Sequence, residues 1–205
     1  MPEAAPDEVH LRYGLEAATV RTQIPRGEDD ITSQWLPPEV LKSLAKGGAQ
    51  LLHEPGGGEL YIKMNTAKAP LDDVNCRLAL ASAFDYGTAI KMVAITPTVS
   101  QGAPSTGAIP VGMLGALPKD RAFKHDLDAA KSYLAKCKYK PSDFTLKLSW
   151  IAEVPLEERF ALLMQSNFSE IGIKSEIVKV PWALYTEQVT KVDSTPDVSQ
   201  VFVNA

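Results

Sequence analysis

Residues 64–85 read MNTAKAPLDDVNCRLALASAFD, and the order of their punctuation decides the fold. Met64 and Asn65 close an apolar run, and Pro70 turns the chain. Asp72 and Asp73 then offer N-cap oxygens ahead of a helix, where a carboxylate also meets the positive end of the helix dipole. Val74, Leu78 and Ala81 fall on one stripe of that helix with Cys76, Leu80 and Ala83 beside it, so most of its surface is expected to be buried. Asp73 stands four positions before Arg77, the favourable acid-then-base order. Arg77 and Asp85 are separated by about 12 Å of helix rise, too far for a direct pair within one helix. The stretch predicts strand, turn and buried helix, with Arg77 and Asp85 serving the scaffold rather than a ligand.

Toward the N-terminus, residues 10–16 alternate polar and apolar side chains and predict a strand. Residues 17–24 predict a helix closed by Pro25 and Gly27, and residues 30–35 a short extended segment. Leu36-Pro37-Pro38 opens a helix that runs through Leu44 and ends at Gly47-Gly48. Residues 49–54 and 59–64 predict two β-like runs joined by Pro55-Gly56-Gly57-Gly58. A phosphate loop needs a following Lys-Ser/Thr and a helix, so this glycine cluster reads as a connection between strands.

Toward the C-terminus, residues 86–93 continue as a second helical run. Residues 96–119, rich in Gly, Pro, Ser and Thr, predict a long irregular loop of the kind that is functional or packs over a neighbour. Residues 126–136 predict a helix, and residues 144–151 a strand with Phe144, Leu146, Leu148 and Trp150 on one face. Residues 155–171 form the best helix signal, with Pro155 in the first turn, Glu157 and Glu158 near the positive end and Gly172 at the C-cap. A strand at 173–180, a short helix at 182–189 and a last strand at 198–203 complete the chain. This alternation predicts an α/β (α+β) fold with a mixed sheet flanked by helices.

A chain of 205 residues can bury one large core or two small ones. Its net charge of −4 and the lack of any basic block exclude a nucleic-acid partner. No apolar stretch is long enough to span a bilayer. The opening MPEAAPDEVH has neither the charge nor the apolar core of a signal peptide, which by itself predicts a cytoplasmic start. The apolar ending VFVNA reads as a cut within or just past a strand. Residues 1–9 are expected to be disordered or foreign to the native domain.

Cys76 and Cys137 lie far apart in two predicted helices and are expected as free buried thiols rather than a disulfide, which leaves the redox compartment open. His10, His53 and His125 sit in unrelated contexts, and no Gly-x-Ser-x-Gly elbow or zinc-ligand spacing is present. The acid pairs Asp29-Asp30 and Asp72-Asp73 fit turn and capping roles. No catalytic residue, metal or cofactor is therefore expected, and the chain does not read as an enzyme. Trp35, Trp150 and Trp182 read as core or rim anchors. Trp150 differs because it ends a strand and leads into residues 151–154 before a helix N-terminus, where open α/β sheets bind ligands.

Taken together, Asn65, Pro70, Asp73, Arg77, Ala79, Ala83 and Asp85 resemble the signature of the peptide/nickel-type extracellular solute-binding family, the substrate-binding components of ABC importers. Arg26-Gly27-Glu28-Asp29-Asp30-Ile31 resembles the family's Ser-Gly-Glu-x-Asp-Ile segment, shifted by one residue, and Leu36-Pro37-Pro38 its next step. The run from His125 to Leu134 resembles a Tyr-Asp-Pro-x-x-Ala-x-x-Leu-Leu helix before a Gly-Tyr, with Lys138 in place of that Gly ahead of Tyr139. Ile171-Gly172-Ile173 and Trp182-Ala183-Leu184-Tyr185 continue the order.

The resemblance implies two α/β lobes joined by a hinge, with solute held in the cleft between them. Residues 1–205 would form the carboxy-side lobe as one domain, without the amino-side lobe. It further implies a peptide or related small solute, a membrane permease as partner, capture by hinge closure, and a periplasmic or extracytoplasmic location. In peptide-binding members the returning segment carries Gly-Trp and, three residues later, an Asp for the peptide amino terminus. Phe202 and Val203 occupy the Gly and Trp positions here, a departure from the peptide-binding pattern. The positions expected nearest the cleft are Ile151, Ala152, Glu153, Gln200, Phe202, Val203 and Asn204. A small cytoplasmic α/β enzyme and a stand-alone interaction module on the same lobe fold are the alternatives.

Overall fold

The computed structural model describes residues 6–33, 35–52, 58–118 and 121–204. The chain divides into two compact units, Met1–Leu51 and Leu52–Ala205.

In the first unit, α1 (Ala17–Arg26) packs on α2 (Pro38–Lys46). The helices bury Val20 from α1 and Val40, Leu41 and Leu44 from α2. Pro25 sits inside the last turn of α1 instead of ending it; the stop is Gly27, whose φ of 67° is a left-handed conformation that glycine adopts without strain. The strand expected at 10–16 does not form. Leu11, Tyr13 and Leu15 are exposed, and alternation cannot make a strand without a partner to pair with. Residues 30–33 and 49–52 likewise carry no strand, while His53, Glu54, Pro55, Gly56 and Gly57 lie outside the described residues.

The second unit is a mixed α/β layer structure. Its elements are β1 (Gly58–Met64), α3 (Val74–Ala83), α4 (Tyr86–Met92), α5 (Leu127–Leu134), β2 (Thr145–Ile151), α6 (Pro155–Glu170), β3 (Lys174–Val180), α7 (Trp182–Gln188) and β4 (Val198–Asn204). The sheet order is β1-β4-β2-β3, with β1 antiparallel to β4 and the other neighbours parallel. Leu146, Leu148 and Trp150 of β2 and Val198 of β4 pack in one core with Phe160, Ala161, Met164 and Phe168 of α6. The opposite face buries Ile151, Val180 and Tyr185 of α7. β2 keeps the alternation read from its sequence, with Thr145 and Lys147 exposed between the buried Leu146 and Leu148, and is buried continuously only from Leu148 to Ile151.

The motif at 64–85 folds largely as its residues dictate. Asp73 caps α3 by accepting the amide of Asn75 at 2.8 Å, and Asp85 caps α4 by accepting the amide of Thr88 at 2.9 Å. Arg77 does not pair with Asp73; its guanidinium donates to the carbonyls of Leu71 at 2.8 Å and Asp72 at 3.3 Å, locking the turn ahead of its own helix. The buried stripe is also rotated from the expected one. Cys76, Ala79, Leu80 and Ala83 face the core, whereas Val74 is exposed.

The cysteines correct a further expectation. Cys76 and Cys137 form a disulfide, not two free thiols, with their Cα atoms 5.1 Å apart. Packing of α3 against α5 brings them together across 61 positions of sequence, a separation that carries no local signal.

One end of the sheet is fastened by Asp197, which is nearly buried. Its Oδ2 accepts the amide of Lys147 at 2.8 Å, its carbonyl accepts the amide of Asn65 at 2.9 Å, and Lys68 pairs with Oδ1 at 3.2 Å. Asn65 in turn donates its side-chain amide to the carbonyl of Val192 at 3.0 Å.

Candidate functional site

The carboxyl ends of the parallel strands β2, β3 and β4 point the same way, and this edge collects the seven residues singled out from the sequence. Continuing the β2–β4 register from Ser149↔Ser199 sets Ile151 level with Val201. The pairs Leu60↔Phe202, Glu59↔Val203 and Gly58↔Asn204 therefore project past the end of β2 as a two-stranded ribbon. Such an edge is where α/β sheets take ligands.

The pleat sorts the candidates, because successive side chains alternate between faces. Gln200 shares the face of Val198 and turns inward under α6, where it is fully buried. Ile151 is also buried, against Val180 and Tyr185. Ala152 and Phe202 are half-buried, and Glu153 and Val203 are exposed. The backbone of Asn204 pairs with Gly58; its side chain lies outside the description. The edge that reaches the surface is thus made by Ala152, Glu153, Phe202 and Val203, with Ile151 and Gln200 beneath it.

Polar bonds hold the turn after β2. The amide of Ala152 donates to the carbonyl of Val180 at 2.9 Å, and that of Val154 to Ile151 at 2.8 Å. Glu153 accepts the amide of Trp182 at 3.0 Å, at the start of α7. Below the turn, Oε2 of Glu157 accepts the amide of Ile151 at 2.7 Å, and the carbonyl of Glu157 accepts Nε2 of Gln200 at 2.8 Å. Burial pushes the Glu157 carboxyl up to about 7, with the Ile151 amide acting the other way. Sequence alone missed this residue, since an acid in a first helical turn reads as an ordinary partner of the helix dipole.

The long loop also meets this end of the sheet. Tyr61 of β1 donates its hydroxyl to the carbonyl of Ala108 at 2.9 Å. Thr106 fastens the loop on itself through the carbonyl of Leu117 at 2.8 Å, and Ile109, Val111, Met113, Leu114 and Leu117 remain exposed. Among the described residues, Asp73, Cys76 and Cys137 come close enough to share an ion, but the two sulfurs are bonded to each other.

A mixed α/β unit with an open strand edge and a turn held from beneath has the architecture in which such sheets take ligands. The chain belongs to the bacterial extracellular solute-binding proteins, family 5, matching the middle region of that family over residues 2–200. It is 30% identical over 179 residues to a probable D,D-dipeptide-binding periplasmic protein, DdpA, of Escherichia coli, covering 87% of this chain and 33% of that protein. It is also 30% identical over 151 residues to heme-binding protein A of Haemophilus influenzae, covering 71% of this chain and 26% of the relative. Among solved structures, the dipeptide-binding protein of a Pseudoalteromonas species in complex with Met-Leu shares the fold. Its TM-score is 0.77 at 22% identity, over 93% of this chain and 37% of that one. The chain thus spans about a third of the length of these proteins.

Proposed function

We propose that the strand edge of residues 52–205 is one wall of a solute-binding cleft, and that this chain is the carboxy-side part of an ABC importer's substrate-binding component. The observation that carries this is family membership over residues 2–200, in a chain about a third as long as its relatives. The projecting β1/β4 ribbon supports it, because it offers paired strands at the edge where solute and a second lobe would meet. The lobe expected over residues 1–205 narrows in this reading to the second unit.

Ala152, Glu153, Phe202 and Val203 would face the solute, with the backbone of Asn204 beside them and Ile151 and Gln200 supporting them from within. The solute would be a peptide or a small molecule of similar size, held without a cofactor. Closure around it would shift an open-to-closed equilibrium and present the loaded protein to a membrane permease. An extracytoplasmic location fits the Cys76–Cys137 disulfide, since such bonds persist in oxidising compartments. Binding rather than catalysis fits an edge where Glu153 is occupied in holding the Trp182 amide.

Calorimetric titration of the longer natural protein with di- and tripeptides and with haem tests the assignment. Micromolar binding is expected for the longer protein and weak or no binding for this chain alone, because a cleft draws hydrogen bonds from both walls. Micromolar affinity in the isolated chain would overturn the half-cleft reading.

A further inference from the structure

Glu157 occupies the first turn of α6 and is only 1% exposed. Its side chain holds the last amide of β2, and its carbonyl holds Gln200 within β4, so one residue joins two neighbouring strands through one helical turn. Oε1 of Gln200, in the same buried corner, meets no donor among the described residues. Burial penalises the charged form of an acid, which is why this carboxyl keeps its proton up to about 7.

Among the charged groups on the surrounding elements, none shifts the Glu157 carboxyl. On α6 itself Glu158 is exposed and Arg159 half-buried. Lys147 of β2 is exposed, as are Lys174, Glu176 and Lys179 of β3, with Lys179 over the Trp150 ring at 5.1 Å. Arg77 of α3 is committed to two carbonyls, Asp85 caps α4, Lys91 of α4 is exposed, and β4 carries no charge. The Glu157 proton is thus governed by burial and by the Ile151 amide.

We propose that Glu157 is a positioning residue acting as a proton-dependent latch for the turn at residues 151–154. Neutral, it stays packed beneath β2 and keeps the turn closed. Ionised, it is drawn toward water, because an uncompensated buried charge is costly, and the first turn of α6 moves with it. The Ile151 amide then loses its acceptor and the turn loosens. This inference rests on the strand-edge reading, since that turn carries Ala152 and Glu153; it makes solute capture weaken as the medium turns alkaline.

The test uses the 205-residue chain without solute. The side-chain carboxyl of Glu157 is titrated by carbon NMR, and exchange of the Ile151 amide is followed from about pH 5 to 9, corrected for intrinsic base catalysis, in wild type and in Glu157→Gln. The expected result is a carboxyl midpoint near 7 and Ile151 protection that falls by about tenfold for each unit above it. The neutral isostere should show flat protection across the range. A midpoint in the ordinary glutamate range, or wild-type protection as flat as that of the variant, overturns the latch. Should Glu157→Gln fail to fold, the wild-type titration decides. Failure here leaves solute binding by the longer protein untouched, and failure of that binding leaves the latch intact.

Discussion

Lys138 donates its backbone amide to Oδ2 of Asp73 at 2.9 Å, while the other oxygen of the same carboxylate caps α3. Beside it, Nζ of Lys138 meets Oδ2 of Asp72 at 2.6 Å. Both carboxyls are held below the usual range, Asp72 chiefly by the Lys138 ammonium and Asp73 chiefly by the Lys138 amide. A lowered folded value stabilises above the unfolded value of about 3.9 and is lost as pH falls through the folded one. Urea midpoints measured from neutral pH downward should therefore drop below about pH 4, and Asp73→Asn should flatten that acid limb.

The disulfide next to this pair closes a separation of 61 residues. Loop-closure entropy gives up to about 4 kcal/mol for a loop of that size. Reduction, or replacement of both cysteines by serine, is expected to lower the unfolding free energy by roughly that amount. Thiol titration of the unfolded, unreduced chain should find no reactive sulfur.

Glu157 gives the opposite pH dependence. Its folded value is raised, so its contribution is fully present below the ordinary glutamate range and is lost as pH climbs to about 7. With some solvent screening allowed, roughly 2 kcal/mol should disappear across that window. Denaturant curves at successive pH values read this directly, and Glu157→Gln should remove the slope.

Leu148 and Phe168 are at most 1% exposed and sit in one core of β2 and α6. Leu148→Ala should cost about 2–5 kcal/mol and Phe168→Ala about 3–5 kcal/mol, with a cavity left in each case. On the opposite face, Tyr185 and Ser199 share a buried hydrogen bond of 3.1 Å. Tyr185→Phe should cost about 1 kcal/mol, since the Ser199 hydroxyl keeps its place and loses a partner.

The α3 cap and the turn before it were legible because Asp73 and Pro70 act within a few positions of themselves, whereas the cap that Asp85 gives α4 was read only as a scaffold role. The helices from 127 onward were legible for the same reason, as Gly172 at φ 81° shows after α6. What sequence did not show was set by distant contacts. Alternation at 10–16 lacked a strand to pair with, and the Cys76–Cys137 bond depends on how α3 meets α5. Position along the chain placed Gln200 at the strand edge, but pleat parity turns its side chain inward with Val198. Glu157 was hidden because nothing local tells an acid beneath a strand end from one at a solvated helix start.

Asp197 gathers β1, β2 and Lys68 at one end of the sheet, while the β1/β4 ribbon at the other runs on without β2 beside it. Mechanically the sheet should behave as a cantilever, clamped at Asp197 and longest at the ribbon. Bending should concentrate beyond Val201, where the outermost pairs Glu59↔Val203 and Gly58↔Asn204 swing through the widest arc.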